Sequence, residues 1–130
     1  MVTMWYMARA PLIWGGSPSK SNESTLALLS DDAVLGVSTS TCRNRRLDIA
    51  GAPDSTAVWA AQSLDSHGRV VALFNLGDAE ATVGVGWEQL ALPRRPKCSE
   101  LWSRDSLVSC GSDRVSARLQ PHDAVLVRLE

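Results

Sequence analysis

The stretch Arg69-Val70-Val71-Ala72-Leu73-Phe74-Asn75-Leu76-Gly77-Asp78-Ala79-Glu80-Ala81-Thr82-Val83-Gly84-Val85 decides the fold. Its first seven residues are nearly all apolar and read as a central strand. Leu76-Gly77-Asp78 turns the chain, because Gly and Asp tolerate the backbone angles a tight turn requires. Ala81, Val83 and Val85 then alternate with Thr82 and Gly84, the period-two pattern of a strand.

The same grammar extends in both directions. Upstream, residues 57–62 form a β-type run around Val58 and Trp59, followed by the turn cluster Asp65-Ser66-His67-Gly68. Downstream, Leu101 and Trp102 mark another strand, and Val115, Ala117 and Leu119 alternate with Ser116 and Arg118. Pro121-His122-Asp123 makes a last turn before a final strand over residues 124–129. Short strands at this spacing, separated by turn clusters, predict a mainly β fold, an antiparallel β-sandwich of Greek-key type.

The first third of the chain has a different period. Met1, Met4, Trp5 and Ala8 recur at helical spacing and predict a helix over residues 1–9, which Pro11 stops. Leu12-Ile13-Trp14, ended by Gly15-Gly16, suits a buried strand of a parallel sheet. Asn22 is placed to cap a following helix, with Glu23 in its first turn and a break near Ser30. Leu26, Leu29 and Ala33 line one face of that helix. Residues 1–36 thus read helix, strand, loop, helix, a piece of an α/β layer that cannot close a sheet by itself. Residues 38–46 are polar without helical period. The switch of period near Val37 divides the chain into residues 1–37 and residues 38–130.

Composition narrows the function classes. With 45% hydrophobic and 21% charged residues, the 130-residue chain has enough apolar material for a real core. A net charge of -1 provides no global field for nucleic acid or an acidic membrane, so neither is expected as a partner. The basic clusters Arg43, Arg45, Arg46 and Arg94, Arg95, Lys97 lack interleaved aromatics and read as solvated surface. The apolar N-terminal stretch is too short for a membrane span and lacks the order of a secretory signal, so it reads as folded protein. Cys42, Cys98 and Cys110 lack the close spacing of a zinc site; they are three thiols, or a Cys98–Cys110 bridge in an oxidising compartment across one hairpin. No metal or cofactor ligand set is expected.

No residue qualifies as catalytic. Asp31 and Asp32 are adjacent, and adjacent helical residues point in different directions. Asp48, Asp54, Asp65, Asp78, Glu80, Glu88, Glu100, Asp105, Asp113 and Asp123 fall almost entirely in turns or helix starts, where acidic residues serve the backbone. His67 and His122 lie in turns without a patterned nucleophile, and Gly15-Gly16 is not a phosphate loop. Trp59, Trp87 and Trp102 sit in or beside apolar strand patterns and predict core packing rather than sugar stacking. Trp14, at the end of the N-terminal strand, is the tryptophan reserved as a ligand-facing candidate. Asn22-Glu23-Ser24 matches the N-glycosylation acceptor pattern, although helix capping by Asn22 is the plainer account.

Two segments carry a family resemblance. Met4-Trp5-Tyr6-Met7-Ala8-Arg9-Ala10-Pro11-Leu12-Ile13-Trp14-Gly15-Gly16, with Thr25-Leu26-Ala27-Leu28-Leu29 and Ala33-Val34-Leu35-Gly36-Val37, resembles the late barrel segment of glycoside hydrolase family 27, the α-galactosidases and their relatives. Val58-Trp59-Ala60, Val70-Val71-Ala72-Leu73-Phe74-Asn75, Glu100-Leu101-Trp102-Ser103-Arg104 and Pro121-His122-Asp123-Ala124-Val125-Leu126 follow the order of that family's C-terminal domain. The resemblance implies that residues 1–37 are the C-terminal end of a (β/α)8 barrel and residues 38–130 the C-terminal antiparallel β-sandwich. It implies a parent enzyme that hydrolyses terminal α-D-galactosyl residues by a retaining mechanism, without cofactor, in a family often secreted or lysosomal. Its two catalytic aspartates lie on earlier barrel strands and match no residue here. Ser17 stands where the family commonly has an aspartate, and residues 38–46 lack its asparagine-glutamine-aspartate pattern.

Two functional classes follow: the structural C-terminal part of an α-galactosidase-like hydrolase, inactive by itself, or a stand-alone carbohydrate-binding sandwich with tryptophans as stacking platforms. The helix-strand-helix preface favours the first. Without barrel neighbours, residues 1–36 are expected to expose Met1, Met4, Trp5, Leu12, Ile13, Trp14, Leu26 and Leu29, and to promote self-association.

Overall fold

Helical segments precede the strands. The computed structural model describes residues 2–11, 13, 15–92, 96–102 and 108–130. Helix α1 (Val2–Met7), a 3-10 turn (Pro18–Lys20), α2 (Glu23–Leu29) and α3 (Asp32–Ser40) lead into β1 (Thr41–Leu47), β2 (Thr56–Ser63), β3 (Arg69–Asn75) and β4 (Ala81–Gly86). Strands β5 (Cys98–Glu100), β6 (Val108–Cys110), β7 (Arg114–Leu119) and β8 (Ala124–Leu129) complete the described elements.

The strands form two antiparallel sheets. The larger runs β1-β2-β3-β8-β5 and the smaller β4-β7-β6. Consecutive strands β3 and β4 lie in opposite sheets, as do β7 and β8, so the chain crosses between layers as a Greek-key sandwich does. One core fills the space between sheets, with Val58, Val71, Leu73, Val83, Val85, Trp87, Val115, Leu119, Val127 and Leu129 all buried.

A second core lies on the outer face of the larger sheet. There Ala57, Ala61, Val70, Ala72, Phe74 and Leu126 pack against Tyr6 and Met7 of α1 and Val34 and Val37 of α3. This explains why β3 reads as a continuous apolar run: Val71 and Leu73 face the smaller sheet while Val70, Ala72 and Phe74 face the helices. The N-terminal segment is therefore anchored, which revises the expectation that it lacks cover. Exposure concentrates at Trp5 (41%), Ile13 (81%), Leu26 (40%) and Leu28 (37%). Met4 packs partly buried against the second core.

Several elements differ from the sequence reading. Ile13 belongs to no strand, while Met1, Leu12 and Trp14 lie outside the described residues. Residues 38–46, read as polar without helical period, divide between the last turn of α3, which runs to Ser40, and edge strand β1, which takes residues 41–47. An edge strand beside solvent needs no apolar alternation and commonly carries charge, so the period-two signal was absent. Leu101 and Trp102 follow β5 rather than forming it. Cys98 and Cys110 are joined by a disulfide, yet they do not flank a hairpin: β5 and β6 are in opposite sheets, and the bridge ties the edge of one to the edge of the other. Cys42 is a free thiol.

Candidate functional site

Five of the acidic side chains serve the backbone or pair at the surface. Asp31 Oδ1 accepts from the Ala33 and Val34 amides at 3.0 and 3.2 Å, making it the N-cap of α3. Asp123 Oδ1 accepts from the Ala124 amide at 2.7 Å, and Glu100 Oε1 from the Trp102 amide at 3.2 Å. Glu80 accepts from Arg118 Nε at 2.6 Å and Gln120 Nε2 at 2.7 Å. Asp78 lies 2.9 Å from His122 Nε2 on an exposed turn. Glycoside hydrolysis by retention requires two carboxyls about 5–5.5 Å apart across a sugar-sized gap. These acids are spread over helix starts and strand ends, and Asp31 is committed to two amides. Asp105, Arg94, Arg95, Ser103 and Arg104 lie outside the described residues.

Trp59, Trp87 and Trp102 pack. Trp87 is 2% exposed inside the inter-sheet core. Trp102 donates from Nε1 to Thr3 Oγ1 at 2.8 Å, and its ring centroid is 6.5 Å from that of Tyr6. Together with half-buried Trp59, it belongs to the core under the helices. The indole of Trp102 thus fastens α1 to the end of β5, a contact spanning most of the chain that no local pattern could announce. Trp5 remains the exposed indole among the described residues.

Two buried polar atoms among the described residues lack a hydrogen-bond partner, the Tyr6 hydroxyl and the Trp87 Nε1–H. Burial pushes the Tyr6 hydroxyl above its ordinary pKa, and the Asp31 charge adds to the effect. Its phenol therefore stays neutral, consistent with packing against Trp102. Asn22 Oδ1 accepts from the Thr25 amide at 2.8 Å and the Ser24 hydroxyl at 2.9 Å, so the residue of the glycosylation pattern is the cap of α2. No cluster of three or more His, Cys, Asp or Glu side chains able to hold a metal occurs among the described residues. No described helix is long and apolar enough to cross a membrane.

Two antiparallel sheets with a helical layer on the larger one define a β-sandwich domain. More narrowly, the chain belongs to the α-galactosidase C-terminal β-sandwich domain family, which matches residues 53–129. It is 26% identical over 125 residues to α-galactosidase 3 of Arabidopsis thaliana, covering 93% of this chain and 28% of that protein. It is 28% identical over 128 residues to the α-galactosidase of Coffea arabica, covering 94% of this chain and 32% of that one. The fold superposes with a TM-score of 0.89 on a GH27 β-L-arabinopyranosidase from Geobacillus stearothermophilus, at 28% identity, over all of this chain and 29% of that structure. The resemblance to family 27 read from the residues is borne out. The chain spans less than a third of the length of these relatives.

Proposed function

We propose that this chain supplies the C-terminal structural portion of an α-galactosidase-like, retaining glycoside hydrolase whose substrates carry terminal α-D-galactosyl or related residues. The observation that supports this most directly is that similarity extends over the helical layer as well as the sandwich: the superposition covers the whole chain, whereas the family match begins at residue 53. A free-standing binding sandwich has no need of α1 and α3, while a domain seated beside a barrel does. In this reading residues 1–37 are the last barrel elements and residues 38–130 are the sandwich, a boundary that falls within the last turn of α3, just before β1. The second core fixes the two parts together, so the sandwich stabilises the barrel's end by covering it.

The chain by itself should not hydrolyse a chromogenic α-galactoside. Turnover above a buffer blank that survives repurification would overturn this. A chimera tests the positive side. Replacing the corresponding last part of the Coffea arabica α-galactosidase with this chain should give a folded enzyme that retains α-galactosidase activity. A folded chimera with no activity, its own barrel intact, would count against a shared structural role.

A further inference from the structure

The two sheets are unequal, and the excess of the larger one leaves part of its inner face uncovered. Strand β1 and the end of β2 at residues 60–62 overhang there, because the smaller sheet has three strands against five. Register places Arg45 opposite Ala60 and Gln62 opposite Arg69. The turn after β4 folds over this overhang, and Arg69 Nε donates to the Leu90 carbonyl at 3.1 Å. Between them lies an open cleft of about 420 Å³, lined by Arg43, Asn44, Arg45, Gln62, Arg69 and Gln89. Its floor includes Leu47 and Leu90.

Three features make this more than a solvated face. The lining holds three guanidinium groups and three amides without a carboxylate; an adjoining depression that shares Arg45, Leu47 and Gln89 with the cleft contains Asp48. Among the described residues Arg43 and Arg45 form no ion pair, whereas Arg118 elsewhere does. Their placement is also built in. The β1–β2 register shifts between Cys42 and Arg45, and Arg43 sits in this bulge at φ 55. The bulge is fastened by Asn44 Nδ2 donating to Thr41 Oγ1 at 3.0 Å while the Thr41 hydroxyl donates to the Val37 carbonyl. Bulges re-aim side chains and cost ladder pairing, and a left-handed arginine is sterically disfavoured unless its surroundings enforce it. Arg69 is held too, its Nη1 donating to the carbonyls of His67 and Gly68.

We propose that this cleft binds the carboxylate of an acidic saccharide, a uronic acid residue of a glycan. Arginine presents a planar fork that matches a carboxylate bidentately, and the amides of Asn44, Gln62 and Gln89 supply the mixed donors and acceptors that sugar hydroxyls need. The volume falls within the range of small-ligand sites. The choice of a sugar acid over another carboxylate rests on the glycosidase reading above; the cationic cleft does not. The site would hold an acidic glycan against the sandwich.

The test is a titration of the ¹⁵N-labelled chain with trigalacturonate, a neutral galactose trisaccharide and inorganic phosphate. The Arg69 Nε–H signal is the local reporter. Trigalacturonate should shift it saturably and bind at least tenfold more tightly than the neutral oligomer, more weakly as salt rises. Arg45→Gln should weaken binding about tenfold. Arg43→Asn removes the charge with a side chain that tolerates positive φ, so it should weaken binding while leaving the unfolding midpoint unchanged or raised. Equal binding of charged and neutral oligomers, or unchanged affinity in both variants, overturns the proposal. Phosphate binding as tightly as trigalacturonate would remove the saccharide and with it the link to glycan function. No shift of Arg69 with any probe would remove the cleft itself and leave the glycosidase reading standing.

Discussion

Asn75 shows how much one side chain can hold. It is 1% exposed, and its Nδ2 shares two hydrogens among the carbonyls of Ala79, Leu119 and Gln120 at 2.8–3.1 Å while Oδ1 accepts from the Gly77 amide at 3.0 Å. The amide thus ties the exit of β3 to the exit of β7 across the sandwich. Asn75→Ala leaves buried carbonyls unpaired and should cost about 3 kcal/mol in chemical denaturation. Asn75→Asp should be worse at neutral pH, since a negative carboxylate would face the same three carbonyl oxygens. If Asp is tolerated as well as Ala, the donor role assigned to Nδ2 is wrong. Gly68 is constrained differently: a Cβ there would collide with the Leu129 carbonyl oxygen, so Gly68→Ala should disturb the pairing of β3 with β8.

At the same scale, Glu80 provides a pH signature. Its carboxyl is held below the ordinary range chiefly by the hydrogen bond from Arg118, helped by Gln120 and by the Arg118 charge and opposed by desolvation. A lowered folded-state value means the contribution is present above the unfolded pKa and is lost as pH falls through the folded one. Glu80→Gln should therefore make the acid limb of the stability curve shallower, by a small amount that salt reduces further because the pair is exposed. An unchanged acid limb at low salt would show that the pair contributes nothing measurable.

Among elements, edge strands govern how the sheets stay together. The Cys98–Cys110 bridge joins the short strands β5 and β6, each edge to its own sheet, across a sequence separation of 12. Closing a loop of that size in the unfolded chain is worth about 3 kcal/mol. Reduction, or Cys98→Ser with Cys110→Ser, should lower the denaturation midpoint accordingly without changing the sandwich's far-ultraviolet signature. Equal midpoints in oxidised and reduced protein would mean that the bridge does not form. Strand β1 is the opposite edge. Its arginines were legible as exposed charge, but the bulge that gathers Arg43 and Arg45 beside Arg69 was not, because it depends on partners in β2 and in the turn after β4.

Over the whole molecule, the second core decides whether the helices are separable. Removing residues 1–37 would uncover Ala57, Ala61, Val70, Ala72, Phe74 and Leu126 together. Fully burying one large apolar side chain is worth about 1.5–3 kcal/mol, and a domain's stability is about 5–15 kcal/mol. The deletion is expected to abolish cooperative unfolding or to drive association, read by thermal melts and size-exclusion chromatography. A monomeric, cooperatively folded fragment of residues 38–130 would show that the inter-sheet core suffices. Limited proteolysis of the full chain should cut first within residues 48–55, which are mostly exposed turns, rather than within β1, which is paired to β2.

The chain's own order of residues determined the strands that are covered on at least one face. Arg69–Asn75, Ala81–Gly86, Arg114–Leu119 and Ala124–Leu129 all announce themselves by apolar runs or alternation, because burial selects side chains one at a time along a strand. The caps at Asn22 and the break at Ser30 were equally local, since a cap bonds within three residues. What only the tertiary structure decided are the relations between distant segments. The placement of β3 and β4 in opposite sheets, the seating of Tyr6 and Met7 on the outer face, the bridge across two edges and the arginine cleft all join residues far apart in the chain. Such contacts leave no periodic trace in either partner, because each side chain needs only the right size or charge at one point, and the partner is supplied by the fold.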